Sequence, residues 1–131
     1  MRFDKFLRTL DMGDCEDQIQ REALLEIAIF FMVVDGTVDA AEEEVIRNWL
    51  AEIEWNSDIS VQDFYTNGMH KANNAIEQQD LEHFIAHRSS QLLDDDFKTN
   101  ALKLADEIAS ADGIIDDKEK VALDILKSYL N

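Results

Sequence analysis

Apolar residues recur three and four apart through nearly every segment of this chain, the spacing that lines one face of an α-helix. Phe3, Phe6, Leu7 and Leu10 predict a short amphipathic helix over 2–10, with Met12-Gly13-Asp14 ending it. Asp17 opens a long helix through about Val34, polar on one side at first and apolar nearly all round from Ala23 to Val34. A helix apolar on all sides belongs in a core. Val45, Ile46, Trp49, Leu50 and Ile53 form the buried stripe of the next helix, and Asn56-Ser57-Asp58 is a loop. Ser60 is placed to cap a helix carrying Val61, Phe64, Tyr65, Met69, Ala72 and Ile76, with Gly68 inside it. Glu77-Gln78-Gln79-Asp80 reads as a connector or a helix start, and Leu81, Phe84, Ile85, Arg88 and Leu92 mark a fourth helix. Asp94-Asp95-Asp96 both breaks the chain and opens a helix, because carboxylates suit the positive end of the helix dipole. Leu102, Leu104, Ala105, Ile108 and Ala109 are apolar positions of a helix over 97–111. On the last helix Val121, Ala122, Ile125, Leu126, Tyr129 and Leu130 are expected to face inward. No strand-length alternating run interrupts this pattern. The fold class is all-α, a single helical bundle of about six to seven helices.

One stretch returns. Val33-Val34-Asp35-Gly36-Thr37-Val38-Asp39-Ala40-Ala41-Glu42 comes back as Ser110-Ala111-Asp112-Gly113-Ile114-Ile115-Asp116-Asp117-Lys118-Glu119, at an offset of 77 residues (112 minus 35). At that offset Leu25 falls on Leu102, Ala28 on Ala105, Phe31 on Ile108, Ile46 on Leu123 and Trp49 on Leu126. The repeating unit is helix, Asp-Gly turn, helix. Gly36 and Gly113 supply the left-handed conformation that commonly closes a helix. Asp39 and Asp116 are the next N-caps, with Glu42 and Glu119 three residues later, the capping-box spacing. Two duplicated hairpins, about 18–54 and about 96–130, are expected to flank middle helices over about 60–93 in one domain spanning 1–131.

Composition narrows the classes. The chain has no proline and only 4 glycines, which favours long helices, and 46% apolar residues, enough for a core. Its longest apolar run, Ile27 to Val34, falls well short of the roughly 20 residues that span a bilayer. The amino-terminal residues lack the apolar core of a secretory signal, and Cys15 is the single cysteine. These features suit a reducing cytoplasm. Net charge is -17, from 29 acidic against 12 basic residues, which repels nucleic acid and anionic lipid. It favours cations and partners with a basic surface. Solubility alone is the other reading of that charge.

The acidic turns invite comparison with a calcium-binding EF-hand loop, whose ligands fall at positions 1, 3, 5, 9 and 12 with glycine at 6. Asp35, Gly36, Asp39 and Glu42 would fill positions 5, 6, 9 and 12, but positions 1 and 3 are Phe31 and Val33, and in the second copy Ile108 and Ser110. A full EF-hand is excluded. A weaker divalent-cation site built from one turn or both stays open beside helix capping, and the two are compatible, since a cap can also ligate a metal. His83 and His87 lie four apart on a helix without the glutamate of a His-Glu-x-x-His zinc motif, and His70 is alone. Neither a Gly-rich phosphate loop nor a nucleophile motif is present, and Cys15 has no basic residue to activate it. The chain reads as non-enzymatic. Trp49 is expected in the core and Trp55 at the domain edge.

Ile27-Ala28, followed by Val34-Asp35-Gly36-Thr37-Val38-Asp39 and Glu42, resembles the signature of the tellurite-resistance protein TerB family. That wider group includes the amino-terminal domain of DjlA-type membrane co-chaperones. Ala105 through Glu119 matches the pattern a second time, and the resemblance extends from about residue 20 to the carboxyl terminus. It implies an all-helical bacterial domain without catalytic activity, linked to metal or stress response. It also implies a cation, such as calcium, held by acidic turn residues, here Asp35, Asp39, Glu42, Asp112, Asp116 and Glu119. With neither a J-domain nor a membrane span, the chain is not expected to be a whole co-chaperone. A metal-independent interaction or self-association module of the co-chaperone type is the alternative.

Overall fold

The computed structural model describes residues 2–34, 40–52, 55, 57, 59–111, 113, 115 and 117–130, with side chains from residue 18 onward except at 52. Among the described residues there are six helices and no strand: α1 (Arg2–Val33), α2 (Ala40–Glu52), α3 (Val61–Glu77), α4 (Leu81–Ser89), α5 (Asp95–Ser110) and α6 (Asp117–Leu130). No described helix is long and apolar enough to cross a membrane.

The core is built on the second half of α1. Every residue from Ala23 to Val34 is buried, including Phe30, Phe31 and Met32 at 0% exposure. α3 and α5 pack against it, α2 lies on α5, and α4 lies on α6. Phe30 stacks on Phe84 of α4 with ring centroids 5.0 Å apart and meets Phe31 edge-on at 6.0 Å. Gly68 lets α3 approach α1 closely: a Cβ at that position would stand 2.8 Å from Ile29 Cδ1. The glycine that looks like a weak point of α3 is therefore a contact point with the core helix.

The helix ends follow local chemistry. Ser60 caps α3, its Oγ accepting from the Asp63 N–H at 3.1 Å. Asp94 is the N-cap of α5, with Asp95 and Asp96 in the first turn. α2, α3, α4 and α6 also carry acids in their first turns, so part of the negative charge sits where helix dipoles favour it. The stretch 77–80 resolves as a connector. α3 closes there in a Schellman motif, with Asp80 N–H donating to Ala75 O at 2.8 Å and Gln79 N–H to Ile76 O at 3.1 Å. Gln79 takes the left-handed position at φ 55°, where glycine is usual.

Two expectations need correction. The chain does not break at Met12-Gly13-Asp14; α1 is one helix of 32 residues. A single interior glycine costs about 1 kcal/mol relative to alanine, and no proline is present to enforce a stop. On α6 the buried residues are Glu119, Ala122, Leu123, Leu126 and Leu130, whereas Val121 and Tyr129 are about half exposed at 53% and 46%. The buried set is an i, i+3, i+4 series running from Glu119; Val121 projects almost opposite to it, roughly 160° away, and Tyr129 to one side, roughly 80° away.

Candidate functional site

α1 ends at Val33 and α2 begins at Ala40; α5 ends at Ser110 and α6 begins at Asp117. Both boundaries fall at the sequence offset of 77 (110 minus 33, and 117 minus 40). Glu42 and Glu119 are thus each the third residue of a helix, and each is 1% exposed. Two acidic side chains at matched places, removed from solvent to the same degree, are unusual in a chain whose other acids are mostly on the surface. In a capping box a glutamate at this position turns back toward the start of its own helix and accepts from the N-cap N–H, which explains such burial without a ligand. Asp35, Gly36, Asp39, Asp112 and Asp116 lie outside the described residues. Gly113 is described and holds φ +86°, the left-handed conformation expected of it, with its N–H donating to Ser110 O at 2.9 Å.

Among the described residues, no three His, Cys, Asp or Glu side chains converge into a group that could hold a metal ion. Of the six acids the family resemblance implicates, the two described ones fit capping, and a cation set would have to draw on the other four. Phe31, Val33 and Ile108, at EF-hand ligand positions, lie in the core, in keeping with the exclusion of that motif. His83, His87 and His70 are exposed. His83 Nδ1 lies 3.6 Å from the Asp80 carboxylate, and His87 Nδ1 lies 3.4 Å from Nη1 of Arg88, where it accepts. The side chain of Cys15 is outside the description.

Two surface grooves among the described residues carry large apolar side chains in their lining. The larger, about 540 Å³, runs between α2 and α5 with Val45, Trp49 and Leu104 as its apolar floor and Asn48, Asn100, Lys103 and Glu107 along its walls. It continues past Val45, Asn48 and Glu107 into a further 330 Å³ bounded by Glu44, Ser110 and the alanines 41 and 111. Trp49 is half-buried with one side on this groove, rather than wholly in the core. Trp55 is also half-buried: its indole N–H donates to Ile59 O at 2.9 Å and its ring meets Phe64 edge-on at 5.2 Å. The second groove, about 440 Å³, is lined by Val34, Ile76, Leu81 and Val121 with Gln79, Asp117 and Lys118.

Sequence reasoning passed over the buried polar residues of α1. Gln20, 1% exposed, accepts from the backbone N–H groups of Leu93 and Asp94 at 2.9 and 2.8 Å and donates to the Asp94 carboxylate at 3.2 Å. Glu26 pairs with Arg88 at 2.8 Å. The available signal was a glutamate standing alone in the apolar stretch from Ala23 to Val34. Glu22 has its pKa raised above the ordinary 4.5, chiefly by burial; a hydrogen bond with Gln18 opposes the rise, Glu26 adds to it and Lys71 opposes it. Burial also raises the Tyr65 phenol, with Glu43 adding to it and Arg47 opposing. The chain matches no family model, no curated protein and no solved structure.

Proposed function

We propose that this chain is a non-enzymatic, acidic TerB-like domain with a role in stress or tellurite resistance, which works by binding a protein partner with a basic surface. A divalent cation such as calcium, held at the acidic turns, modulates that binding. The observation that carries the reading is the matched burial of Glu42 and Glu119, each third in its helix and each 1% exposed. The equal helix boundaries at the offset of 77 support a duplicated helix–turn–helix unit, so that two turns of the same design would act together.

The test is a thermal melt at low ionic strength with and without millimolar calcium. A rise in melting temperature, reduced by Asp35→Asn with Asp112→Asn, is the expected result. An unchanged melting curve sinks the cation part. The second reading is a metal-independent interaction or self-association module, favoured by the fact that capping alone accounts for a buried glutamate at these positions. It predicts no metal response together with salt-sensitive binding of a basic partner.

A further inference from the structure

Building on the reading that the chain binds a basic partner, we infer that the groove between α2 and α5 is the docking surface, and that its occupant is an amphipathic helical segment of a partner protein with lysine or arginine flanking its apolar face. The floor supplies what such a helix needs. Val45, Trp49 and Leu104 present an apolar strip between two helices, the arrangement into which helical peptides lay their apolar side chains. Tryptophan is the residue type most often found as an energetic anchor of interfaces, and its ring face also attracts cations.

Charge selects the occupant. Glu44 and Glu107 are both exposed and both border the end of the groove near Ser110. Arg47, the cation nearest Glu44 on α2, pairs with Glu43 one turn before it. A basic helix would set its cations against Glu44 and Glu107 while its apolar side chains cover Trp49. A second copy of this chain suits the groove poorly, because two molecules of charge -17 repel each other. Lys103 offsets one acidic charge on the wall near Trp49, so the preference for a cation is confined to the end beside Ser110, whose lining holds Glu44 and Glu107 and no basic residue. The groove beside Val121 has no such end: its charged lining residues are Asp117 and Lys118.

The experiment titrates the full-length, ¹⁵N-labelled chain with two probes of about 18 residues, long enough for several helical turns. One is a lysine/leucine peptide patterned as an amphipathic helix; the other has the same composition in scrambled order. The patterned peptide is expected to bind about tenfold more tightly than the scrambled one, with amide shift changes concentrated in α2 and α5. Glu44→Lys with Glu107→Lys should weaken it about tenfold, whereas Glu77→Lys with Asp124→Lys, the same charge change on α3 and α6, should have a much smaller effect. Trp49→Phe, which keeps an aromatic ring and the fold, should also weaken the patterned peptide and leave the scrambled one unchanged. Equal binding of both peptides, or equal losses from the two charge-reversal pairs, overturns the groove as the site and leaves the basic-partner reading standing. No binding of either peptide at low salt overturns both.

Discussion

The guanidinium of Arg88 on α4 donates from Nε at 3.0 Å and from Nη2 at 2.8 Å to a single oxygen, Oε2, of Glu26 on α1. The same guanidinium lies 3.9 Å over the Phe84 ring, and Phe84 stacks on Phe30 of α1. One residue thus fastens α4 to the core helix by charge and by aromatic contact. The two paired side chains are only 16% and 10% exposed, so solvent screens the pair weakly. Breaking a buried pair strands a charge, while replacing both partners by apolar groups need not. Arg88→Met is expected to cost about 3 kcal/mol of unfolding free energy, and Glu26→Met with Arg88→Met considerably less. Denaturant titration of the wild type, both single variants and the double variant measures the coupling; a strictly additive cycle would refute it.

Gln20 holds the α4–α5 connection to α1 through the two backbone N–H groups at Leu93 and Asp94. The Asp94 side chain makes no cap bond to its own helix and is engaged by Gln20 instead. Gln20→Ala should therefore cost about 2 kcal/mol and speed amide hydrogen exchange at Leu93 and Asp94 more than elsewhere. Unaltered exchange at those two amides would show that the side chain does not hold the loop.

Gln79 and Gly113 both occupy the left-handed region, at φ 55° and φ 86°. A residue with a Cβ pays about 1 kcal/mol or more there. Gln79→Gly should raise stability by up to about 1 kcal/mol, and Gly113→Ala should lower it by a similar amount. A Cβ at Gly113 would meet no atom within 4 Å, so the second cost is one of backbone conformation alone. Chemical denaturation of the two variants, compared at equal m-value, checks both signs.

Glu22 gives a pH prediction. Burial, aided by Glu26, raises its folded pKa above the ordinary 4.5. A carboxyl raised in this way favours the folded state when protonated; that contribution is complete below the unfolded value and is lost as pH rises through the folded value. Glu22→Gln, neutral at every pH, should be more stable than the wild type near neutral pH. The difference should shrink as pH falls through the raised folded value and vanish below the ordinary one, where both side chains are uncharged. A gain that persists undiminished in acid would assign the effect to something other than this carboxyl.

Local rules made much of the architecture legible. The absence of proline and the three-and-four spacing of apolar residues imply helices throughout, and the unbroken apolar stretch before Asp35 identifies the core helix. Ser60 and Gly113 act where they stand because capping and left-handed closure depend on a few neighbouring backbone groups. The break assigned at Gly13 failed because one glycine is a weak penalty against a long cooperative helix. The candidate site was legible only in part: Glu42 and Glu119 stand out in sequence by their spacing from Asp39 and Asp116, but their burial to the same 1% does not.

By itself the sequence determined the all-helical character, the Ser60 cap, the left-handed closure at Gly113 and the acidic balance of the chain, since each follows from residue type and short spacing. Only the tertiary structure decided that Gln20 and Glu26 are interior residues, that Gly68 meets Ile29, that Val121 and Tyr129 face outward, and that Trp49 floors a groove between α2 and α5. The reason is physical: whether a polar group can be buried, or an apolar one exposed, depends on which partner a distant segment brings to it. Arg88 stands 62 residues from Glu26, and Asp94 stands 74 from Gln20.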